Sequence, residues 1–319
     1  MRSQSLPTII KPPRLRKGDV LGVIAPASPM KPELLESGVR YLEGLGYRVK
    51  LGKHVFKTHG YLAGTDKERA QDFNNMFRDR KVHAIICARG GYGTPRLLPL
   101  LDFKAIREHP KIFVGYSDLT AIQLAIFKHT GLITFSGPMV AAEMGRGIDS
   151  FTEENFWRMV TSVSPFGEMQ RPNGESYGAI AKGKVAGRLI GGCLSLLAPI
   201  AGTNHLPSLR NNILFVEDVG EVVYRWDRYF VQLRELGLLQ RIAGFMLGQT
   251  TDCLPPAGDS TLTFDDLMHD FIRPLKVPAL TGLDYGHGRV KHTMPIGARA
   301  ELEVSVRRTR VTITEAAVL

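Results

Sequence analysis

The stretch KIFVGYSDLTAIQLAIFKHTG, residues 111–131, carries the first information about the fold. An apolar run, Ile112-Phe113-Val114, stops at Gly115-Tyr116-Ser117-Asp118, and apolar residues at helical spacing follow from Leu119 onward. That order reads as a buried strand, a tight corner and a helix. A serine at such a corner has two readings. It caps the helix, as serine often does. Alternatively, the corner presents its Oγ beside a helix N-terminus, where partial positive charge favours a developing oxyanion. The match to a G-x-S-x-G elbow is incomplete, because Leu119 stands at the second glycine position.

The same alternation extends toward the N-terminus. GDVLGVIAPAS (18–28) reads as a strand and a Pro/Ser turn, followed by helical spacing in KPELLESGVRYLEGLGY. YRVKLG is a second strand, TDKERAQDFNNMFRD a helix opening on a Thr/Asp cap, and KVHAIICARGGYG a third strand with a glycine-rich end. TPRLLPLLDFKAIREHP carries a further helical segment. Strands alternating with helices predict an α/β class: a doubly wound parallel sheet covered on both faces, over residues 1–145. Residues 146–183, with GRGIDS and SVSPFGEMQRPNGESYGAIAKGK, are rich in Gly, Ser and Pro and read as a linker. Residues 184–319 mix α and β. ILFVEDV reads as a strand, YRWDRYFVQLRELGLLQ and TFDDLMHDFIRP as helical stretches, and RAELEVSVRRTRVTITEA as a β-hairpin.

Composition narrows the function classes. The chain has 319 residues, 44% hydrophobic and 23% charged, in the range of a soluble globular protein with room for one large or two ordinary cores. No apolar run approaches a membrane span, and the N-terminus lacks the h-region and cleavage site of a secretory signal, so a cytoplasmic location is the expectation. Cys87, Cys193 and Cys253 are far apart and odd in number, with no CxxC or Cys/His cluster; they read as buried apolar groups, and no metal is expected. The net charge of +10 is spread along the chain without a nucleic-acid motif or aromatic platform. It fits an anionic small substrate better than nucleic acid or a membrane.

Ligands of open parallel sheets bind beyond the carboxyl ends of the strands. Standing there are Arg89-Gly90-Gly91-Tyr92-Gly93, the Ser117 corner, Glu217-Asp218, and Asp284-Tyr285-Gly286-His287-Gly288. A serine, a carboxylate, an imidazole and a glycine loop are the parts of a nucleophilic acyl-transfer site. RGGYG reads either as a plain tight turn or as a cradle of N–H groups. His287, between two glycines, has little to pack against. The carboxylate is the least determined part: Glu217 and Asp218 share the strand end, and Glu143, Glu221 and Asp284 compete with them. The order Ser, Glu, His is one that hydrolases use.

Several longer motifs occur together: GVIAPASP, ARGGYGTPRLLPLLDF, PKIFVGYSDLTAIQLA, SGPM (136–139), GRLIGGCLSLL, FVEDVGEVVYRWDRYFVQL and GHGRVKHTMPIG. With these the chain resembles, over nearly its whole length, the LD-carboxypeptidase family of serine peptidases. That family includes muramoyl-tetrapeptide carboxypeptidases and microcin-immunity peptidases. The resemblance implies Ser117 as nucleophile, His287 as general base and acid, Glu217 as the carboxylate orienting it, and an oxyanion hole from the N–H groups of Gly91 and Asp118. It further implies a second domain with a barrel-like sheet, a cytoplasmic homodimer and no metal or cofactor. The implied substrate is a murein tetrapeptide that loses its terminal D-alanine, or, in the immunity branch, an aminoacyl-nucleotide conjugate. One departure stands out. Many members have GGNLSLL where this chain has Cys193, which bears on substrate preference; the apolar CLSLL context argues for burial of the thiol rather than for a rival nucleophile.

Overall fold

The computed structural model describes residues 8–254, 258 and 260–319. Its first sheet contains β1 (Val20–Ile24), β2 (Arg48–Leu51), β3 (Ala84–Cys87), β4 (Ile112–Gly115) and β5 (Thr134–Ser136), paired in parallel in the order β5-β4-β3-β1-β2. The strands β3 and β4 are buried at every position, as expected where helices cover a parallel sheet. The connecting helices are α1 (Pro32–Gly44), α2 (Asp66–Arg78), α3 (Phe103–Glu108) and α4 (Thr120–Thr130). Helix α2 begins on the expected Thr65 cap, which forms a reciprocal capping box with Glu68. From β1 the chain winds one way to β2 and the other way through β3, β4 and β5. The reversal lies between β1 and β3, the position where such sheets bind ligands. Pro26–Ser28 and Arg89–Gly93 leave the sheet at that point.

Helix α5 (Ser150–Thr161) and strands β6 (Gly167–Glu168) and β7 (Gly178–Ala181) lie within 146–183, and both strands join the second sheet. That sheet adds β8 (Gly183–Cys193), β9 (Ile213–Val219), β10 (Gly244–Thr251) and β11 (Ala279–Thr281), while β12 (Met294–Ile296) leaves it for the first sheet. The expected hairpin is present as β13 (Arg299–Val304) and β14 (Thr309–Ile313). The order is β6-β14-β13-β8-β9-β10-β11-β7, with parallel β8 to β11 flanked by antiparallel strands. Where a barrel-like sheet was expected, the described residues form an eight-stranded mixed sheet ending on β6 and β7, with no pairing that closes it.

The parallel first sheet is extended by β12, which pairs antiparallel with β5 through Met294–Ser136 to Ile296–Thr134. Three apolar residues flanked by Thr293 and Gly297 give no strand signal by themselves. Helix α4 also joins the halves. It is buried along most of its length and packs on β5, on β8 and on α6 (Leu194–Ile200). Helix α7 (Val223–Glu235) buries Trp226, Phe230 and Leu233 against the second sheet's layer. The stretch expected to be one long helix after Thr263 is instead a short α8 (Phe264–Leu267), a π turn over Met268–Ile272 and a 3-10 turn over Arg273–Leu275. Among the described residues no helix is long and apolar enough to cross a membrane.

Candidate active site

The Ser117 corner is strained. Ser117 has φ of 64°, one of four non-glycine residues with positive φ among the described residues. A left-handed serine costs on the order of 1 kcal/mol and persists where surrounding structure enforces it. Enforcement comes from both sides. A Cβ at Gly115 would lie 2.8 Å from the Leu119 side chain, which folds back beneath the turn. Leu119 itself has φ of −66° and is fully buried, so that position needs no glycine, and the departure from the elbow pattern is accounted for. The Ser117 side chain caps no helical N–H. Its Oγ lies 2.9 Å from His287 Nε2.

His287 arrives on the loop after β11. Its Nδ1 is 2.7 Å from Glu217 Oε2, at the end of β9. With Nδ1–H donating to the Glu217 carboxylate, the Nε2 of the neutral imidazole is left to accept from the serine hydroxyl. Glu217 is fully buried, and its Oε1 has no hydrogen-bond partner. His287 and Ser117 remain partly exposed. Three residues that are 170 and 70 positions apart thus line up as hydroxyl, imidazole and carboxylate.

The competing carboxylates have other partners. Asp218, on the opposite face of β9, accepts from the N–H groups of Ser195 (2.7 Å) and Val219 (3.0 Å), and from the Cys193 thiol (3.2 Å). Burial, with the Glu217 charge next to it, pushes its carboxyl up to about 6. Glu221 meets Arg225 and Tyr229, and Asp284 meets Arg171. Glu143 accepts from the Tyr116 hydroxyl, the Lys291 ammonium and the Met139 N–H. Cys193 is buried, and burial pushes its thiol well above the usual range, which leaves it a poor nucleophile. Its backbone N–H donates to Thr120 Oγ1 at 3.0 Å, at the start of α4.

The RGGYG loop lies against the serine: a Cβ at Gly90 would stand 3.1 Å from Ser117 Cβ. Gly91 has φ of 122°, and any side chain there would strike Ser28 Oγ at 2.4 Å. Ser28 Oγ in turn accepts from the Tyr92 N–H. Asp118, whose carboxyl burial raises, takes the N–H groups of Gly93 and Thr94 on its side chain, and its carbonyl takes the Thr94 hydroxyl. The residue after the serine therefore fixes the glycine loop beside the serine.

Gln249 went unnoticed in the sequence. Its Oε1 accepts from the Gly288 N–H (2.7 Å) and its Nε2 donates to the Val290 carbonyl (2.9 Å), so it holds the His287 loop on both sides. Farther along, His292 Nε2 donates to the Gln170 carbonyl at 2.9 Å, while the lone pair of Nδ1 is buried without a donor. Burial pushes the His292 imidazole down to about 4. The unfolded imidazole titrates near 6.5. Between those values the unfolded chain holds a proton that the folded one lacks, so this residue makes stability rise with pH from about 4 to about 6.5. Urea unfolding across that range should show the parent losing about 3 kcal/mol more than His292→Gln as pH falls.

Above these three residues opens a cavity of about 480 Å³, lined by Ser117 and His287, by the glycine loop, and by Lys31, Arg89 and Arg146. No cluster of three or more metal-ligating side chains occurs among the described residues.

Residues 21–137 match the LD-carboxypeptidase N-terminal domain and 186–302 the LD-carboxypeptidase C-terminal domain. The chain is a member of the LD-carboxypeptidase family. Among its LD-carboxypeptidase relatives, a Bacillus subtilis protein described as a probable murein peptide carboxypeptidase is 40% identical over 297 residues, covering 92% of each chain. The murein tetrapeptide carboxypeptidase of Pseudomonas aeruginosa is 34% identical over 290 residues, covering 89% of this chain and 92% of its own. The solved structure of MccF in complex with glutamyl sulfamoyl guanosine superposes with a TM-score of 0.88 at 28% identity, over 97% of this chain and 99% of that one. Membership makes this LD-carboxypeptidase a serine-type peptidase by family.

Proposed function

We propose that this protein is a metal-independent serine L,D-carboxypeptidase that releases the terminal D-alanine from murein tetrapeptides. The observation that carries the reading is the Ser117–His287–Glu217 alignment at 2.9 and 2.7 Å, opening into the cavity. Two relatives whose names specify murein peptides, at 40% and 34% identity, support the substrate class. Ser117 attacks the carbonyl of the diamino acid's L-centre while His287 Nε2 takes the hydroxyl proton. The N–H groups of Asp118 and Gly91 stabilise the oxyanion. D-Alanine leaves with the proton from His287, and water, deprotonated by the same imidazole, hydrolyses the acyl-enzyme. Glu217 holds the tautomer and stabilises the imidazolium. Lys31, Arg89 and Arg146 supply positive charge around a substrate that carries carboxylates. The serine lies on a unit spanning 1–145 and the Glu and His on 184–319; a cytoplasmic homodimer rests on the family resemblance.

Similarity to MccF, solved with an aminoacyl sulfamoyl nucleoside, supports a second reading: cleavage of an aminoacyl-nucleotide conjugate. Offering L-Ala-γ-D-Glu-meso-diaminopimelate-D-Ala and a glutamyl sulfamoyl nucleoside in parallel, with EDTA present, separates the two. Free D-alanine at a kcat/KM at least a hundredfold above conjugate cleavage is the expected result. The reverse ratio would replace the first reading with the second.

A further inference from the structure

Glu143 lines the cavity, yet its carboxylate is already committed. Oε1 accepts from the Tyr116 hydroxyl at 2.6 Å and from the Lys291 ammonium at 2.9 Å, and Oε2 accepts from the Met139 N–H at 2.9 Å. Lys291 is buried to within 3% of full enclosure, and its Nζ sits 4.1 Å from the centroid of the Tyr116 ring. That ring meets His287 edge to face, with centroids 5.0 Å apart. Tyr116 immediately precedes Ser117, and Lys291 follows His287 by four residues. A single carboxylate therefore ties the segment that carries the serine to the loop that carries the imidazole.

The loop needs such a tie. His287 has glycine on both sides, so its backbone gives little stiffness of its own. Apart from Glu217, which binds Nδ1, the loop's other anchors act around the imidazole rather than on it. Gln249 holds Gly288 and Val290 from the second sheet, Ser136 holds the Tyr285 hydroxyl at 2.6 Å, and Thr152 holds the Lys291 N–H at 3.0 Å. From the cavity side the imidazole ring is braced by the Tyr116 ring, itself kept in place by Glu143 and Lys291. A general base must sit within hydrogen-bond reach of its proton, and a displacement of about 1 Å is worth roughly a hundredfold in rate.

We propose that Glu143, bridging Tyr116 and Lys291, is a positioning residue for His287: it keeps Nε2 directed at Ser117 Oγ without touching the reacting atoms. This rests on the reading of Ser117 as the nucleophile. The carboxylate is required because three donors converge on it, whereas an amide at 143 has one acceptor oxygen and would turn its own N–H₂ toward a donor.

Three variants test the proposal. Tyr116→Phe removes only the hydroxyl, Glu143→Gln removes the triple acceptor, and Glu143→Gln with Lys291→Met avoids leaving a buried ammonium unpaired. Two rates are measured for each: D-alanine release, separated into kcat and KM, and labelling by a small alkyl fluorophosphonate, which reads serine reactivity without the peptide. Ser117→Ala is the reference, and thermal melting establishes that each variant is folded. The expected result is a fall in kcat and in labelling rate of about tenfold or more in all three, with KM within about twofold of the parent. Parental kcat and labelling in Tyr116→Phe and the double variant, beside an inert Ser117→Ala, would overturn the proposal. So would a raised KM at unchanged kcat, which would make Glu143 a substrate contact. Undiminished D-alanine release by Ser117→Ala would instead sink the nucleophile itself, and the positioning role with it.

Discussion

Ser117→Ala is expected to lower the kcat of D-alanine release on the order of 10⁶-fold, the scale at which removing a serine nucleophile leaves only what binding and an oxyanion hole supply. The loss should come without loss of the fold. The hydroxyl's partner is the partly exposed His287 Nε2, the side chain caps no helix, and alanine at φ of 64° carries the same backbone strain as serine. Unfolding free energy should therefore stay within about 0.5 kcal/mol of the parent. The decisive comparison is initial-rate D-alanine release by both proteins in EDTA, alongside urea unfolding. A folded Ser117→Ala that keeps more than about a thousandth of the activity would remove Ser117 from the chemistry.

The second large effect is expected at Glu217. Glu217→Gln keeps size and burial but replaces the acceptor of the His287 Nδ1–H with a group that can donate to Nδ1. A donated bond there moves the imidazole proton to Nε2, where it faces the serine hydroxyl instead of accepting from it. A loss on the order of 10⁴-fold in kcat follows. Stability should move the other way or not at all, because the carboxylate is fully buried and one of its oxygens lacks any partner. Removing an under-satisfied buried charge relieves desolvation. Asp218→Asn is the internal comparison. Asp218 serves Ser195, Val219 and Cys193, so its substitution should disturb the start of α6 and leave the imidazole's tautomer alone. Kinetics and melting of the two variants side by side give the answer: equal kcat losses would dissolve the assignment of Glu217 as the orienting group.

Much of this site could be read in advance, because strand ends are visible in a sequence. Apolar runs ending in GYSD, VED and LDYGHG mark where side chains leave a sheet, and the chain puts its serine, carboxylate and imidazole there. What is invisible is reach. Nothing in the spacing distinguishes Glu217 from Asp218; alternation along β9 decides it, since consecutive residues face opposite sides. In the sequence Glu143 reads only as a rival for the carboxylate role, because a bond to Lys291, 148 positions away, leaves no local trace. Gln249 lies within a register shift in β10, between Leu247 and Thr250. Helix α5 did have a signal, an Asp149 cap and buried Phe156, Met159 and Val160 at helical spacing, but Gly- and Pro-rich flanks obscured it.

Strand β12 has a mechanical consequence. By leaving the second sheet's half of the chain to edge the first sheet beside β5, it stitches the two halves together on the far side of the loop that bears His287. The halves cannot swing apart like jaws without tearing the backbone hydrogen bonds between β12 and β5. An excised fragment ending before residue 294 would present β5 as a raw sheet edge, a template for pairing with other chains. Anyone dividing this protein into separately expressed pieces should expect aggregates rather than a folded half carrying the serine.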